Sequence, residues 1–179
     1  MLEDGLYGLS EISKLVISLK DFSRLDRKAT EQVDINECIE STLTIASNNI
    51  AESNVTVDKQ LGEIPKIACF PSKLNQLFLN IITNACQAMK ESGGSLEVRS
   101  ELTDAGIRIV VKDDGVGMDQ ETKQQMFDPF FTSKEIGEGT GLGMSIAYKI
   151  VEAHNGTIEV TSELNEGTEI SIILPIPKD

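Results

Sequence analysis

Along residues 9–25 the apolar positions Ile12, Leu15, Val16, Leu19, Phe22 and Leu25 recur at steps of three and four, the period of an amphipathic helix that needs a partner for its apolar stripe. The polar stretch 26–32 breaks this period, and a domain boundary is placed there. Beyond it, residues 33–35 read as a short strand. Asn36 reads as the cap of a helix reaching about residue 52, with Ile39, Leu43, Ile45, Ala46 and Ile50 on its apolar side. Residues 55–61 alternate as a strand does, and residues 67–70 form another. Pro71, suited to a first helical turn, opens a long helix to about residue 91, ended by Gly93 and Gly94. Two hairpins follow: residues 96–102 with 107–112 around Asp104, Ala105 and Gly106, and residues 157–162 with 168–174 around Asn165, Glu166 and Gly167. Between them lie a glycine-rich loop and a helix over about 140–154. The order β-α-β-β-α-β-β-loop-α-β-β predicts an α+β fold, a mixed sheet with helices on one face.

With 179 residues, 40% of them hydrophobic, the chain can build one packed core plus an appendage. No stretch approaches the ~18 apolar residues of a membrane span, and the start lacks a signal-peptide pattern, so this piece is expected to be soluble. Cys38, Cys69 and Cys86 show no C-x-x-C spacing, and the single His154 completes no metal cluster with them; a reducing cytoplasm fits best. Acidic residues outnumber basic ones 29 to 16, a net charge of −13, which argues against nucleic acid and anionic lipid as partners. An anionic ligand would need strong local donors.

Three segments carry candidate chemistry. On the helix opened by Pro71, Leu74, Leu77, Phe78, Ile81, Ile82, Ala85, Ala88 and Met89 form the apolar face, while Gln76, Asn80, Thr83, Asn84 and Gln87 line the remaining stripe. Asparagine is a poor interior helix residue, and amide oxygens suit hard cations such as Mg²⁺; a solvated face is the plainer account of Asn80 and Asn84. Asp113-Asp114-Gly115-Val116-Gly117-Met118 puts a carboxylate at a strand end, able to accept from an exocyclic amine, followed by glycines that let backbone turn closely past a ligand. Read alone, an ordinary loop or a calcium turn is the plainer account, although calcium needs more oxygens than Asp113 and Asp114 offer. Gly137-Glu138-Gly139-Thr140-Gly141-Leu142-Gly143 runs into a helix and could present backbone N–H groups and the helix dipole to an anion, with Lys134 as an added cation; a flexible linker is the alternative. It is not a Walker A loop, since no G-K-[ST] follows. Phe127-Asp128-Pro129-Phe130-Phe131 reads first as a loop anchor and second as the hinge of a lid.

Taken in order, Asn80-x-x-x-Asn84-Ala85, Asp113-x-Gly115-x-Gly117, Phe127-Asp128-Pro129-Phe130-Phe131, Gly139-Thr140-Gly141-Leu142-Gly143 and Gly167-Thr168 resemble the N, G1, F, G2 and G3 boxes of sensor histidine kinases. The resemblance covers about residues 33–175 and implies the Bergerat ATP-binding fold shared with gyrase, Hsp90 and MutL. It implies that Asp113 binds the adenine amino group, that Thr168 supports it, and that Gly115, Gly117 and Phe127 belong to the ATP site. Asn84 with Asn80 would hold Mg²⁺, Gly139, Thr140, Gly141, Leu142 and Gly143 would contact the phosphates, and Lys134 would neutralise them. Phe131-Thr132-Ser133-Lys134, close before the glycines, looks like the short-lid kinases related to nitrogen-regulation sensors. Gln87 stands where some kinases carry a basic residue.

Residues 1–26 resemble the second helix of a dimerisation and phosphoacceptor hairpin, with 27–32 as linker and 33–179 as the catalytic domain. The resemblance therefore implies transfer of the ATP γ-phosphoryl to a histidine on a partner helix not in this chain, relay to a response regulator receiver domain, and a homodimeric full-length parent. His154, at a helix end, reads as a dipole-favoured histidine rather than the phosphoacceptor. Hydrolytic relatives place a glutamate base where Asn80 stands, and an amide cannot take a proton from water. A hydrolytic ATPase and a non-catalytic nucleotide-binding regulator are the other two readings.

Overall fold

The structure, a computed structural model, describes residues 30–133 and 139–176; Lys134, Gly137, Glu138 and the helix expected over residues 9–25 lie outside them. Strand β1 (Glu31–Val33) leads into helix α1 (Ile35–Ile45), the short α2 (Ser47–Glu52), β2 (Val55–Leu61) and β3 (Ile67–Cys69). Helix α3 (Pro71–Ala88) precedes the hairpin β4 (Gly94–Thr103) and β5 (Gly106–Asp113). Helices α4 (Gln120–Gln125) and α5 (Gly143–Ala153) and the hairpin β6 (Thr157–Glu163) and β7 (Gly167–Leu174) complete the order. Five strands form one mixed sheet, β2-β4-β5-β7-β6, with β2 parallel to β4 and the other neighbours antiparallel. The parallel pair is possible because α3 lies in the connection between its strands. β1 and β3 pair separately, Glu31 opposite Cys69, and are not part of the main sheet.

Helices α1, α3 and α5 cover one face of the sheet. Ile35, Ile39, Leu74, Leu77, Phe78, Ile81, Ile82, Ala147 and Ile150 meet Leu96, Val98, Ile107, Ile109, Ile170 and Ile172 in one continuous core. Each large side chain buried this way contributes about 1.5–3 kcal/mol. On the opposite face Arg99 bonds Glu97 at 3.1 Å and reaches Glu169 at 3.9 Å, crossing β5 above the outward but buried Val110. Its stem shields an apolar residue while the charge stays solvated. Among the described residues no helix is long and apolar enough to cross a membrane.

Several boundaries differ from expectation. The first strand lies at Glu31–Val33 rather than 33–35, because Ile35 is wholly buried as the first residue of α1 and Asp34 takes the capping position. Asp34 Oδ1 accepts from Asn36 N at 2.9 Å; Asn36, expected to cap, instead donates to Gly62 O at 2.9 Å and accepts from Ser100 Oγ at 2.7 Å, tying α1 to the sheet. The single helix expected to residue 52 breaks at Ala46, after Thr42 and Thr44 turn their hydroxyls back onto Cys38 O and Glu40 O at 2.8 and 2.9 Å, a pattern that bends helices. α3 stops at Ala88, with Gly93 N donating to Met89 O at 2.8 Å. α5 begins at Gly143 rather than 140, since Gly141 holds φ +66 with the Phe130 backbone against its α-carbon, a place no side chain could occupy. α4 was not anticipated: its sequence, QETKQQ, has no apolar periodicity.

His154 caps α5 differently from a simple dipole partner. Its Nδ1 lies 2.7 Å from Ile150 O and so carries the proton, while Nε2 accepts from Phe70 N at 3.2 Å, joining the end of α5 to the start of α3. Asp34→Ala is expected to lower stability by about 1 kcal/mol, read as a shift of the urea midpoint; an unmoved midpoint would return the cap to Asn36.

Candidate functional site

A cleft of about 560 Å³ opens along α3, between the ends of β5 and β7 on one side and the start of α5 on the other. Asn80, Asn84, Asp113, Gly117, Gly139, Thr140, Gly141, Gly143 and Thr168 all line it, so residues up to 88 positions apart in sequence meet there. Gly115, Phe127 and Leu142 do not line it. Leu142 is fully buried in the core, and Phe127 packs on Tyr148 with ring centroids 5.3 Å apart. Of the phenylalanine cluster, Phe127 has the anchoring position, Phe130 is exposed with its N–H bonded to Gly141 O at 2.9 Å, and Phe131 reaches the cleft.

One end of the cleft is built on the last residue of β5. Asp113 is 6% exposed, and burial pushes its carboxyl up from 3.8 to about 6, against the opposing pull of the backbone N–H groups of Gly115 and Thr168. Gly115 N donates to Asp113 Oδ1 at 3.0 Å. The loop after Asp113 is held by backbone: Val116 N donates to Ala88 O at 3.1 Å, and a Cβ on Gly115 would fall 2.7 Å from that same oxygen. Gly117, at φ +61, presses its α-carbon on Glu163 O, which puts the loop against the β6–β7 hairpin. Asp114 Oδ1 accepts from Ser95 N at 2.8 Å and anchors the loop to β4. The two glycines thus serve different ends: Gly115 packs against α3, and only Gly117 faces the cleft.

Sequence reasoning missed Ser162, which is buried behind the cleft. Its Oγ accepts from Met118 N, donates to Gly167 O and lies against Thr168 Oγ1, all at 2.9 Å. The signal was present, since β6 points Ile158, Val160 and Ser162 to the same side and a hydroxyl there breaks the apolar phase. Thr83, Thr122, Met126 and Met144 also line the cleft and were not singled out as site residues.

The other end is the start of α5. Its N-cap, Leu142, has no side-chain cap, so the positive end of the helix dipole faces Asn80 and the cleft. Asn80 Nδ2 donates to Gly143 O at 2.9 Å. A carbonyl can only accept, so the amide orientation is forced and Oδ1 is the atom left for another partner. Asn84 stands one turn further along α3, also in the lining. Among the described residues Asp113 is the only carboxylate lining the cleft, and no group of three or more His, Cys, Asp or Glu side chains could hold a metal.

Residues 70–178 match the family described as histidine kinase-, DNA gyrase B-, and HSP90-like ATPase. The chain belongs to this family. Sporulation kinase E of Bacillus subtilis (strain 168) is 33% identical over 171 residues, 93% of this chain and 23% of that protein. Signal transduction histidine-protein kinase AtoS of Escherichia coli (strain K12) is 33% identical over 172 residues, 96% of this chain and 28% of that protein. The chain spans about a quarter of the length of these curated relatives. The histidine kinase ThkA, solved in complex with the response regulator protein TrrA, shares the fold at a TM-score of 0.76 and 24% identity, over 95% of this chain and 48% of that one. The α/β sandwich is that of an ATP-binding catalytic domain of the histidine kinase type.

A carboxyl that ionises near 6 when folded and near 3.8 when unfolded holds more protons in the folded state between those values. The contribution of Asp113 to stability therefore falls as pH rises from about 4 to about 6, and its penalty is constant above. Asp113→Asn, which keeps an acceptor for Gly115 N, is expected to raise stability by about 1–3 kcal/mol at neutral pH and by nothing near pH ~4, measured from urea midpoints at both.

Proposed function

We propose that this domain holds ATP along α3 and presents its γ-phosphoryl to a histidine nitrogen carried on another helix of the parent kinase, from which a response regulator receiver domain takes it. The observation that carries this reading is the asymmetry of the cleft. Asp113, its one carboxylate among the described residues, sits at the end where Gly115 packs on Ala88, and the other end offers an amide and a helix N-terminus. Ala88 and Asn80 are eight residues apart, about 12 Å of helix, so the two ends are well separated.

Adenine belongs at the Asp113 end, its amino group donating to the carboxylate with Thr168 beside it. The triphosphate runs toward α5, where the Gly139–Gly143 loop and the helix dipole stabilise negative charge. Lys134, outside the described residues, is assigned to neutralise the phosphates. Magnesium fits the donor set: Asn80 has its nitrogen committed to Gly143 O and its oxygen available, with Asn84 one turn away, and amide oxygens with phosphates and water form a usual magnesium shell. When bound, the ion neutralises charge developing on the phosphate oxygens.

An imidazole nitrogen attacks the γ-phosphorus, the bond to the bridging oxygen breaks, and ADP leaves with the electron pair. Positioning and charge stabilisation are the domain's contribution. Asn80 can orient but cannot take a proton from water, which disfavours hydrolysis at this end. The parent kinase is assigned to a homodimer working on the cytoplasmic side, where ATP is found.

Asp113→Asn is expected to weaken ATP binding by about 10–150-fold, the value of a hydrogen bond to a charged group, and unchanged affinity by calorimetry would remove adenine from Asp113. In the same titrations Asn84→Ala should lose most of the gain in affinity that magnesium brings; an undiminished gain would exclude the metal role. Full-length parent incubated with γ-labelled ATP should acquire an acid-labile, base-stable phosphohistidine, and rapid ATP turnover without any such label would point to a hydrolytic ATPase instead.

A further inference from the structure

Ser162 makes three contacts with a single proton. Met118 N–H can only donate to its Oγ, and Gly167 O can only accept from it. The contact with Thr168 Oγ1 works in either direction taken alone. Taken with the others it works in one. Were Ser162 to give its proton to Thr168, its oxygen would face the Gly167 carbonyl at 2.9 Å with lone pairs opposed. The assignment that satisfies all three has Ser162 donating to Gly167 O and accepting from both Met118 N–H and the Thr168 hydroxyl.

This places the Thr168 proton behind the cleft. Thr168 is directly opposite Asp113 in the β5–β7 register and opposite Ser162 in the β6–β7 register, so the hydroxyl lies between the carboxylate strand and the buried serine. Its oxygen keeps lone pairs for the cleft, which Thr168 lines with Asp113.

We infer that Ser162 is a specificity-setting positioning residue: by holding the Thr168 proton it leaves an acceptor-only end wall that matches a 6-amino purine and opposes a 6-oxo purine. An amino group brings two N–H donors to this wall, whereas a 6-oxo oxygen brings a third set of lone pairs. Unpaired polar groups of this kind are where a buried site discriminates most strongly between analogues. The inference rests on adenine occupying the Asp113 end, as proposed above.

The test compares ATP with inosine triphosphate, which differs at the 6-position and at N1, a donor there and an acceptor in adenine, and lacks the 2-amino group of GTP. Because both nucleotides are measured on every variant, the constant N1 difference cancels in the change of preference, read by calorimetry on this chain at about pH 8, above the value of about 6 for Asp113. Ser162→Ala frees the Thr168 proton to turn into the cleft. It is expected to narrow the ATP preference by about tenfold, the value of one hydrogen bond regained by the oxo purine. In a Thr168→Val background, where there is no hydroxyl proton to release, Ser162→Ala should leave the remaining preference unchanged.

A merely structural serine would weaken both nucleotides by the same factor, and that result overturns the inference. If Ser162→Ala does not fold, Thr168→Val alone decides: loss confined to ATP supports an acceptor hydroxyl, and equal loss of both nucleotides refutes it. Asp113→Asn is measured alongside. If it leaves ATP affinity unchanged, the adenine placement itself is wrong; if it weakens ATP while the serine and threonine variants fail to alter the preference, only the role of Ser162 is lost.

Discussion

Helix α3 is shared by the core and the cleft, and neither can change without the other. One side of it buries Leu74, Leu77, Phe78, Ile81 and Ala85, and the adjoining side presents Asn80 and Asn84. Its pairing with α5 is clamped at two points: His154 Nε2 on Phe70 N near one end and Asn80 Nδ2 on Gly143 O in the middle. The two helices are therefore antiparallel, and the start of α5 is delivered to the cleft as a consequence of packing. A helix N-terminus is useful to an anion only where its N–H groups are aimed, and here the apolar interface does the aiming.

The opposite end of the cleft is fixed by backbone against backbone. Gly115 on Ala88 O, Gly117 on Glu163 O and Gly167 on Asp113 O lock the loop after β5 between α3 and the β6–β7 hairpin, with no room for a Cβ at any of the three. Ser162 sits at the centre of this lock and joins Met118, Gly167 and Thr168. The rigidity serves a group that is costly to fold. Asp113 is desolvated enough to ionise only near 6, so its carboxylate is held in the folded state against its own tendency to remain in water. Raised carboxyl values of this kind cluster at functional sites, and the proposed adenine amino group would supply Asp113 with a further donor from the cleft.

Most of this was legible from residue patterns because the core follows strict periods. The two hairpins and the helix begun by Pro71 fall within a few residues of their expected places, and their turns carry the expected glycines. What escaped had no periodic signature. α4 buries nothing, so hydrophobic spacing was silent about it. Asp34 and Asn36 are both good caps, and only the burial of Ile35 decides between them. The pairing of β1 with β3 outside the main sheet depends on contacts across the chain that short apolar runs do not specify. At the site, Asn80, Asn84, Asp113 and Thr168 were legible as polar exceptions or as motif positions. Ser162 required the register of β6 on β7, a tertiary fact. Gly115 and Leu142 sit in glycine-rich motifs for packing reasons, which their spacing alone could not separate from ligand contact.

The acidity of the chain sharpens the division between its two ends. A net charge of −13 repels a polyanion at long range, but salt screens that field within about 8 Å at physiological ionic strength. Inside the cleft the balance is set by nearby dipoles. On the proposed placement the start of α5 supplies positive potential where phosphate charge would lie, and Asp113, the one lining carboxylate among the described residues, stands about two turns of α3 away from it. Had a second carboxylate replaced Asn80, it would have added like charge at the phosphate end. The amide keeps the geometry, through its bond to Gly143 O, without that charge. If the phosphates lie there as proposed, an amide at position 80 both withholds a base for hydrolysis and spares an acidic protein a further like charge, so electrostatics and chemistry favour the same residue.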